Sequence, residues 1–323
     1  MELIKNIFWN GEQSRLRSGY RLVLQLALGI GIAIGLQAVV KYFAPGIKFN
    51  AGSPLWFFLA YAGILLCSGL GSVWIIGRLL DKRPFSGFGF HFNKEWWIDF
   101  TFGIGLGIVL MSLIFLIEYA NGWVKITSLF YTNRADQNFV IPLLIVLLVF
   151  ICVSIREETT TRGYLLKNLS EGLNVPRLNP QSAVIISWLF SSALFGYYHF
   201  GNPNATWVST ANIAMGGVFL GMAYVMTGEL AIPIGLHISW NFFQGNVFGF
   251  PVSGLTIPAD LVTFIKIEQL GPDSWTGGAF GPEGGLVGTT AIILGCIFTY
   301  VWIRLRKGKE NARILSSLAM YKT

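Results

Sequence analysis

Charge is scarce in this chain. Only 12% of its 323 residues are Asp, Glu, Lys or Arg, whereas 53% are hydrophobic. A soluble domain carries about a quarter of its residues as charges, so that class is excluded. Histidine is scarcer still, at three residues. Cysteine also numbers three, and Cys67, Cys152 and Cys296 all fall in apolar segments at unrelated spacings. An odd number placed in this way argues against a disulfide framework and against a cysteine metal site, so we read them as small packing residues. Low-complexity linkers, internal repeats and soluble blocks large enough to fold alone are missing too, and residues 1–323 read as one domain. Residues 1–18 are polar and lack the short apolar run and small-residue cleavage site of a signal peptide. The first apolar segment is therefore expected to be retained.

Long apolar blocks are what the chain has in quantity. A membrane-spanning helix needs about 20 mostly apolar residues. Eight blocks qualify, with approximate limits Tyr20–Phe43, Leu55–Leu80, Trp97–Ala120, Phe139–Ile155, Ala183–Phe200, Trp207–Thr227, Leu230–Phe250 and Leu286–Ile303. Lipid leaves no backbone group unsatisfied, so the fold class is an all-α polytopic membrane protein, a bundle of about eight transmembrane helices. Basic residues set its orientation. With eight spans the N-terminal segment, the C-terminal tail and the connections after spans two and four share a side, and that side holds 18 of the 23 lysines and arginines. The others are Lys41, Lys48, Lys125, Arg134 and Lys266. Both termini are expected in the cytoplasm, in the plasma membrane if the source is bacterial. The net charge of +7 then reflects topology and an anionic inner leaflet, and nothing requires nucleic acid.

Residues Pro251 to Gly285 form the longest stretch between spans, read as an extracytoplasmic connector with an optional short interfacial helix around Ala259–Leu270. Glycines cluster inside spans: Gly29, Gly31 and Gly35; Gly103, Gly105 and Gly107; Gly217 and Gly221. Small residues at such spacing let helices approach closely, and packing is the reading we adopt for them.

Against this apolar background a few polar residues stand out. Glu157 and Glu158 sit together at the end of the fourth block. Ionised groups near the bilayer centre cost roughly 2.5 kcal/mol or more each. Glu158 and Arg162, four apart on a helix, can pair, while Glu157 is turned about 100° away and points elsewhere. The alternative is an acidic pair solvated by headgroups. His199 ends the aromatic run Phe195-Gly-Tyr-Tyr-His199 just before Gly201-Asn-Pro203, as either an interfacial residue or one facing a polar pocket. His237 and Asn241 put two polar side chains on one face of an apolar span, for function or for hydrogen bonding between helices. His91, in a loop with no polar partner pattern, is read as structural.

Taken in order, Glu-Glu-x-x-x-Arg, Phe-x-x-x-His and His-x-x-x-Asn, each in a separate apolar segment, resemble the CPBP family (CAAX protease and bacteriocin-processing, or Abi) of intramembrane proteases. The resemblance covers about residues 139–250, the expected catalytic core. One position departs from it: relatives commonly carry Phe just before the motif arginine, where this chain has Thr161. The resemblance implies Glu157 as general base and His199 as its partner in positioning water. It implies His237 and Asn241 as donors to the oxyanion, with Glu158 and Arg162 orienting the site. It further implies a peptide or lipidated-protein substrate at the membrane. No cofactor is favoured; zinc on Glu157, His199 and His237 is the alternative, although the spacing is not the compact His-Glu-x-x-His pattern. A non-enzymatic membrane protein, such as a bacteriocin immunity factor or a scaffold for a membrane partner, is the competing class. A proton-coupled transporter comes third, weakened by the lack of visible repeats in two halves.

Depth sets a condition on the protease reading. If the fourth span ended at Ile155, Glu157 and His199 would lie on opposite faces of roughly 30 Å of hydrocarbon. The reading requires the fourth helix to continue past Arg162 and Leu169 and the fifth to stop at Gly201–Pro203, around a polar intramembrane cavity.

Overall fold

Backbone groups in lipid must find partners within their own segment, and the apolar blocks duly become helices. The computed structural model describes residues 7–11, 13–134, 138–308 and 317–320. Among the described residues are eight long helices: α1 (Ser18–Phe43), α2 (Leu55–Leu79), α3 (Lys94–Ala120), α4 (Val140–Leu173), α5 (Pro180–Tyr198), α6 (Trp207–Thr227), α7 (Ala231–Phe242) and α8 (Leu286–Lys307). Six of them are long and apolar enough to cross a membrane, and the chain is a polytopic integral membrane protein. The two that fall short are α5 and α7, whose ends or faces carry His199, His237 and Asn241. Helix α7 needs no apolar exterior, because every residue from Ala231 to Asn241 is buried by protein.

Helix starts follow local chemistry. The Asn179 side chain accepts from Ser182 N ahead of Pro180, Asn93 does the same for Trp96 N, and Thr206 with Ser209 forms a reciprocal capping box. Each arrangement satisfies donors that a first turn leaves open. Three helices widen into π-helical turns, at Cys67–Gly71 in α2, Thr159–Leu166 in α4 and Phe243–Val247 following α7. In α4 the threonines explain how the widening is tolerated. Thr159 Oγ1 donates to Ile155 O (2.5 Å) and Thr160 Oγ1 to Arg156 O (2.9 Å), bonding carbonyls four residues back.

Several sequence expectations need correction. Helix α4 does not end at Ile155 but runs on to Leu173, because Glu158 and Arg162 are satisfied inside the bundle rather than at its edge. The stretch Ala259–Leu270 is not an interfacial helix, nor is Pro251–Gly285 a plain connector. A short helix, Ile257–Leu261, leads into a strand, Val262–Gln269, which pairs antiparallel with Val124–Thr132. Both strands are rich in β-branched and aromatic residues, which suit a pleated ribbon; a search for spans passes over such a signal. Finally, His91 does have a polar partner, since its Nδ1 lies 2.6 Å from Glu229 Oε1.

The described ends of the chain meet one end of the bundle. Arg15 and Arg83 pair with Glu171, and Arg21 pairs with Asp81, which also accepts from Tyr164 Oη at 2.8 Å. Burial pushes the Asp81 carboxyl up, against the pull of Arg21 and Arg83. Ala319 O accepts from Asn174 Nδ2 on the same side. Lys5, Lys309, Arg313 and Lys322, part of the orientation argument, lie outside the described residues.

Helices α3 and α7 meet backbone to backbone. A Cβ at Gly103 would sit 2.5 Å from Ile232 O, and one at Gly235 would sit 2.4 Å from Phe100 O. At Gly107 it would lie 2.1 Å from Ser239 Oγ. This is the small-residue seam expected of close helix pairs, whereas Gly105 faces open space. Replacing Gly103 by Val should destabilise the fold by about 1–3 kcal/mol, read as an earlier thermal transition in detergent. Gly105→Ala should stay within about 0.5 kcal/mol of the parent.

Candidate active site

The residues singled out by the sequence come from three helices. Helix α4 carries Glu157, Glu158 and Arg162; His199 follows the last turn of α5; and α7 carries His237 and Asn241. The continuation of α4 and the early stop of α5 let them meet. Glu157, His199, His237 and Asn241 all line one cavity of about 770 Å³, walled by α1, α2, α4, α5, α6 and α7 and by the turn after Pro251. The wall is otherwise mostly aliphatic and aromatic.

The two adjacent glutamates are treated differently. The Glu158 side chain is fully buried, and its Oε1 accepts from Arg162 Nη1 at 2.9 Å and from His237 Nδ1 at 2.8 Å. Glu157, one residue earlier, is part-exposed to the cavity, with Oε2 4.0 Å from His237 Nε2 and Oε1 3.7 Å from Arg156 Nη1. Arg162 is held on every side: Nη2 donates to Gly217 O at 3.3 Å, and the guanidinium lies 4.3 Å from the centre of the Phe195 ring. That ring contacts both imidazoles, at 4.8 Å from His199 and 6.2 Å from His237. His199 donates from Nδ1 to Phe195 O at 2.7 Å, which leaves its Nε2 available to the cavity.

A carboxylate accepts but does not donate, so the Glu158 bond puts a proton on His237 Nδ1 and turns Nε2 toward Glu157. Asn241 follows one turn later on the same buried face. The arrangement offers a base, two imidazoles and an amide on the wall of one cavity. Among the described residues no three His, Cys, Asp or Glu side chains converge closely enough to hold a metal ion, while the Nδ1 partners of His199 and His237 leave both Nε2 atoms turned to the cavity.

Sequence reading missed Glu283, assigned to a connector. It is buried, lines the same cavity, and accepts from Ser253 Oγ at 2.6 Å and Trp240 Nε1 at 3.3 Å. Burial pushes its carboxyl above the usual range, against the pull of Ser253 and of the His199 charge. Its one sequence signal is an acidic residue set among glycines in Gly281-Pro-Glu-Gly-Gly285, directly before an apolar block. Arg156, also missed, is the cation on the cavity wall beside Glu157.

The family match falls on the same segment. Over 184 residues the chain is 24% identical to an uncharacterized protein, YyaK, of Bacillus subtilis (strain 168). That match spans 56% of this chain and 58% of the relative. No solved structure gives a significant match. Residues 139–243 match the family model for the type II CAAX prenyl endopeptidase Rce1-like proteins. The matched stretch begins at the foot of α4 and ends just past Asn241, so it takes in all six residues of the motif. This segment is similar to the Rce1-like group of the CPBP family.

Proposed function

We propose that this protein is an intramembrane endopeptidase that hydrolyses a peptide bond in a membrane-associated peptide or lipidated protein, without a metal. The observation that carries the reading is the meeting of Glu157, His199, His237 and Asn241 on one cavity wall whose lining is otherwise mostly apolar. In this reading Glu157 and His199 hold a water. Glu157 takes its proton as the hydroxide oxygen attacks the substrate carbonyl, and the proton passes to the departing amine, so that acid and base roles return to their start. The oxyanion accepts from Asn241 Nδ2 and from His237 Nε2, the second donation requiring the doubly protonated ring because Nδ1 already donates to Glu158. One such donor is worth about 10²–10³ in rate. The 4.0 Å between His237 Nε2 and Glu157 Oε2 is too long for a hydrogen bond and suits a group placed between them. Arg162 fixes Glu158, and Glu158 fixes the ring of His237. The basic residues gathered at the end where both described termini lie argue that this end faces the cytoplasm.

Cleavage of a candidate peptide library in liposomes tests this. Glu157→Ala and His199→Ala should each lower the rate by about 10²-fold or more with folding intact, and chelators should leave wild-type activity unchanged. A Glu157→Ala protein with undiminished function would instead favour a non-enzymatic role. A second expectation concerns Arg162. Arg162→Ala leaves the Glu158 charge buried without its main partner, and should destabilise the fold by about 3–5 kcal/mol, measured by thermal unfolding in detergent.

A further inference from the structure

The family match stops at residue 243, yet the cavity has a wall contributed by a later segment. That segment is folded tightly. Gly277 (φ 73°) and Gly281 (φ 105°) adopt backbone that favours glycine. A Cβ at Gly281 would lie 2.2 Å from Pro251 O, and one at Gly285 would lie 2.3 Å from Trp275 O. The result of this close folding is to deliver one carboxylate, Glu283, 5% exposed, to the cavity. An apolar side chain would fill the same space without the desolvation penalty of a buried acid, so filling space does not account for it.

Its contacts reach two parts of the site. One oxygen accepts from the backbone N and from Oγ of Ser253, and the Ser253 carbonyl accepts from Asn202 Nδ2 at 2.9 Å, three residues beyond His199. The other oxygen accepts from Trp240 Nε1, next to Asn241 on α7. We infer that Glu283 is a positioning residue of the cleavage site, a second cavity carboxyl group that holds the His199 turn and the His237–Asn241 helix in register. The inference rests on the peptidase reading above. Nothing is added to the reaction's atom balance: Glu283 neither gives nor takes the travelling proton. Burial, which raises its carboxyl, is opposed by the same Ser253 donors and by the His199 charge.

Two measurements test it. In cleavage assays Glu283→Gln, the same size but uncharged, should lower kcat at least tenfold with KM changed less than about twofold, and Glu283→Asp should recover part of the loss. Wild-type kcat in Glu283→Gln would overturn the inference, as would a fall fully explained by a lower melting temperature. The second readout needs no activity. The chain has three histidines, so 15N-histidine spectra are simple to assign. Glu283→Gln should move the His199 ring signals and leave those of His91 in place; unmoved His199 signals would overturn it. If the wild-type protein cleaves no peptide while the His199 signals respond to Glu283→Gln, the peptidase reading has failed rather than the Glu283–His199 link.

Discussion

Glu158 Oε1 accepts from Arg162 on its own helix and from His237 on another, and the site is organised around that shared atom. A buried ion pair is weak evidence of net stability, but removing one partner is strongly destabilising. The arrangement therefore acts as a constraint. It sets the rotation of α4 relative to α7, fixes which nitrogen of His237 faces the cavity, and leaves Glu157 as the carboxylate turned to the open space. Arg162 extends the same constraint to α5 through Phe195 and to α6 through Gly217 O. Four helices thus converge on one ion pair.

Much of this was legible in the sequence, and the reason is physical. Lipid forbids most polar placements, so a glutamate pair, an arginine four residues on, and two histidines in apolar blocks carry more information than they would in a soluble chain. The pairing of Glu158 with Arg162 follows from helical spacing alone. Hydropathy misled at the ends of elements. Arg156, Glu157 and Glu158 look like an exit from the membrane, whereas α4 continues for another fifteen residues to Leu173, because the bundle supplies the partners that water would have supplied. The Thr-rich turn was legible as polar but not as a π-helix, since nothing in composition tells an extra residue per turn from an ordinary one. Glu283 was illegible for another reason: its place depends on glycine contacts with Pro251 and Trp275, which are far apart in sequence and leave no periodic trace.

The short helices mark the division of labour. Six helices are long and apolar enough to cross a membrane, whereas α5 and α7, which bring the histidines, fall short of that signature. Polar chemistry at depth is tolerated where the surrounding elements line a cavity. The glutamates come from a long spanning helix, α4, and the histidines from the two short ones.

The glycine seam between α3 and α7 has a bearing on the membrane itself. Contacts between backbones have no rotamers to adjust, so the depth of α7 is set by α3 and not by lipid. Bilayers differ in thickness by several Å, and spanning helices respond by tilting or by deforming the lipid around them. Helix α1, buried only at Arg21 and Gln25, leaves most of its surface to make that response. The distances among Glu158, Arg162 and His237 are thereby insulated from the thickness of the membrane in which the protein resides.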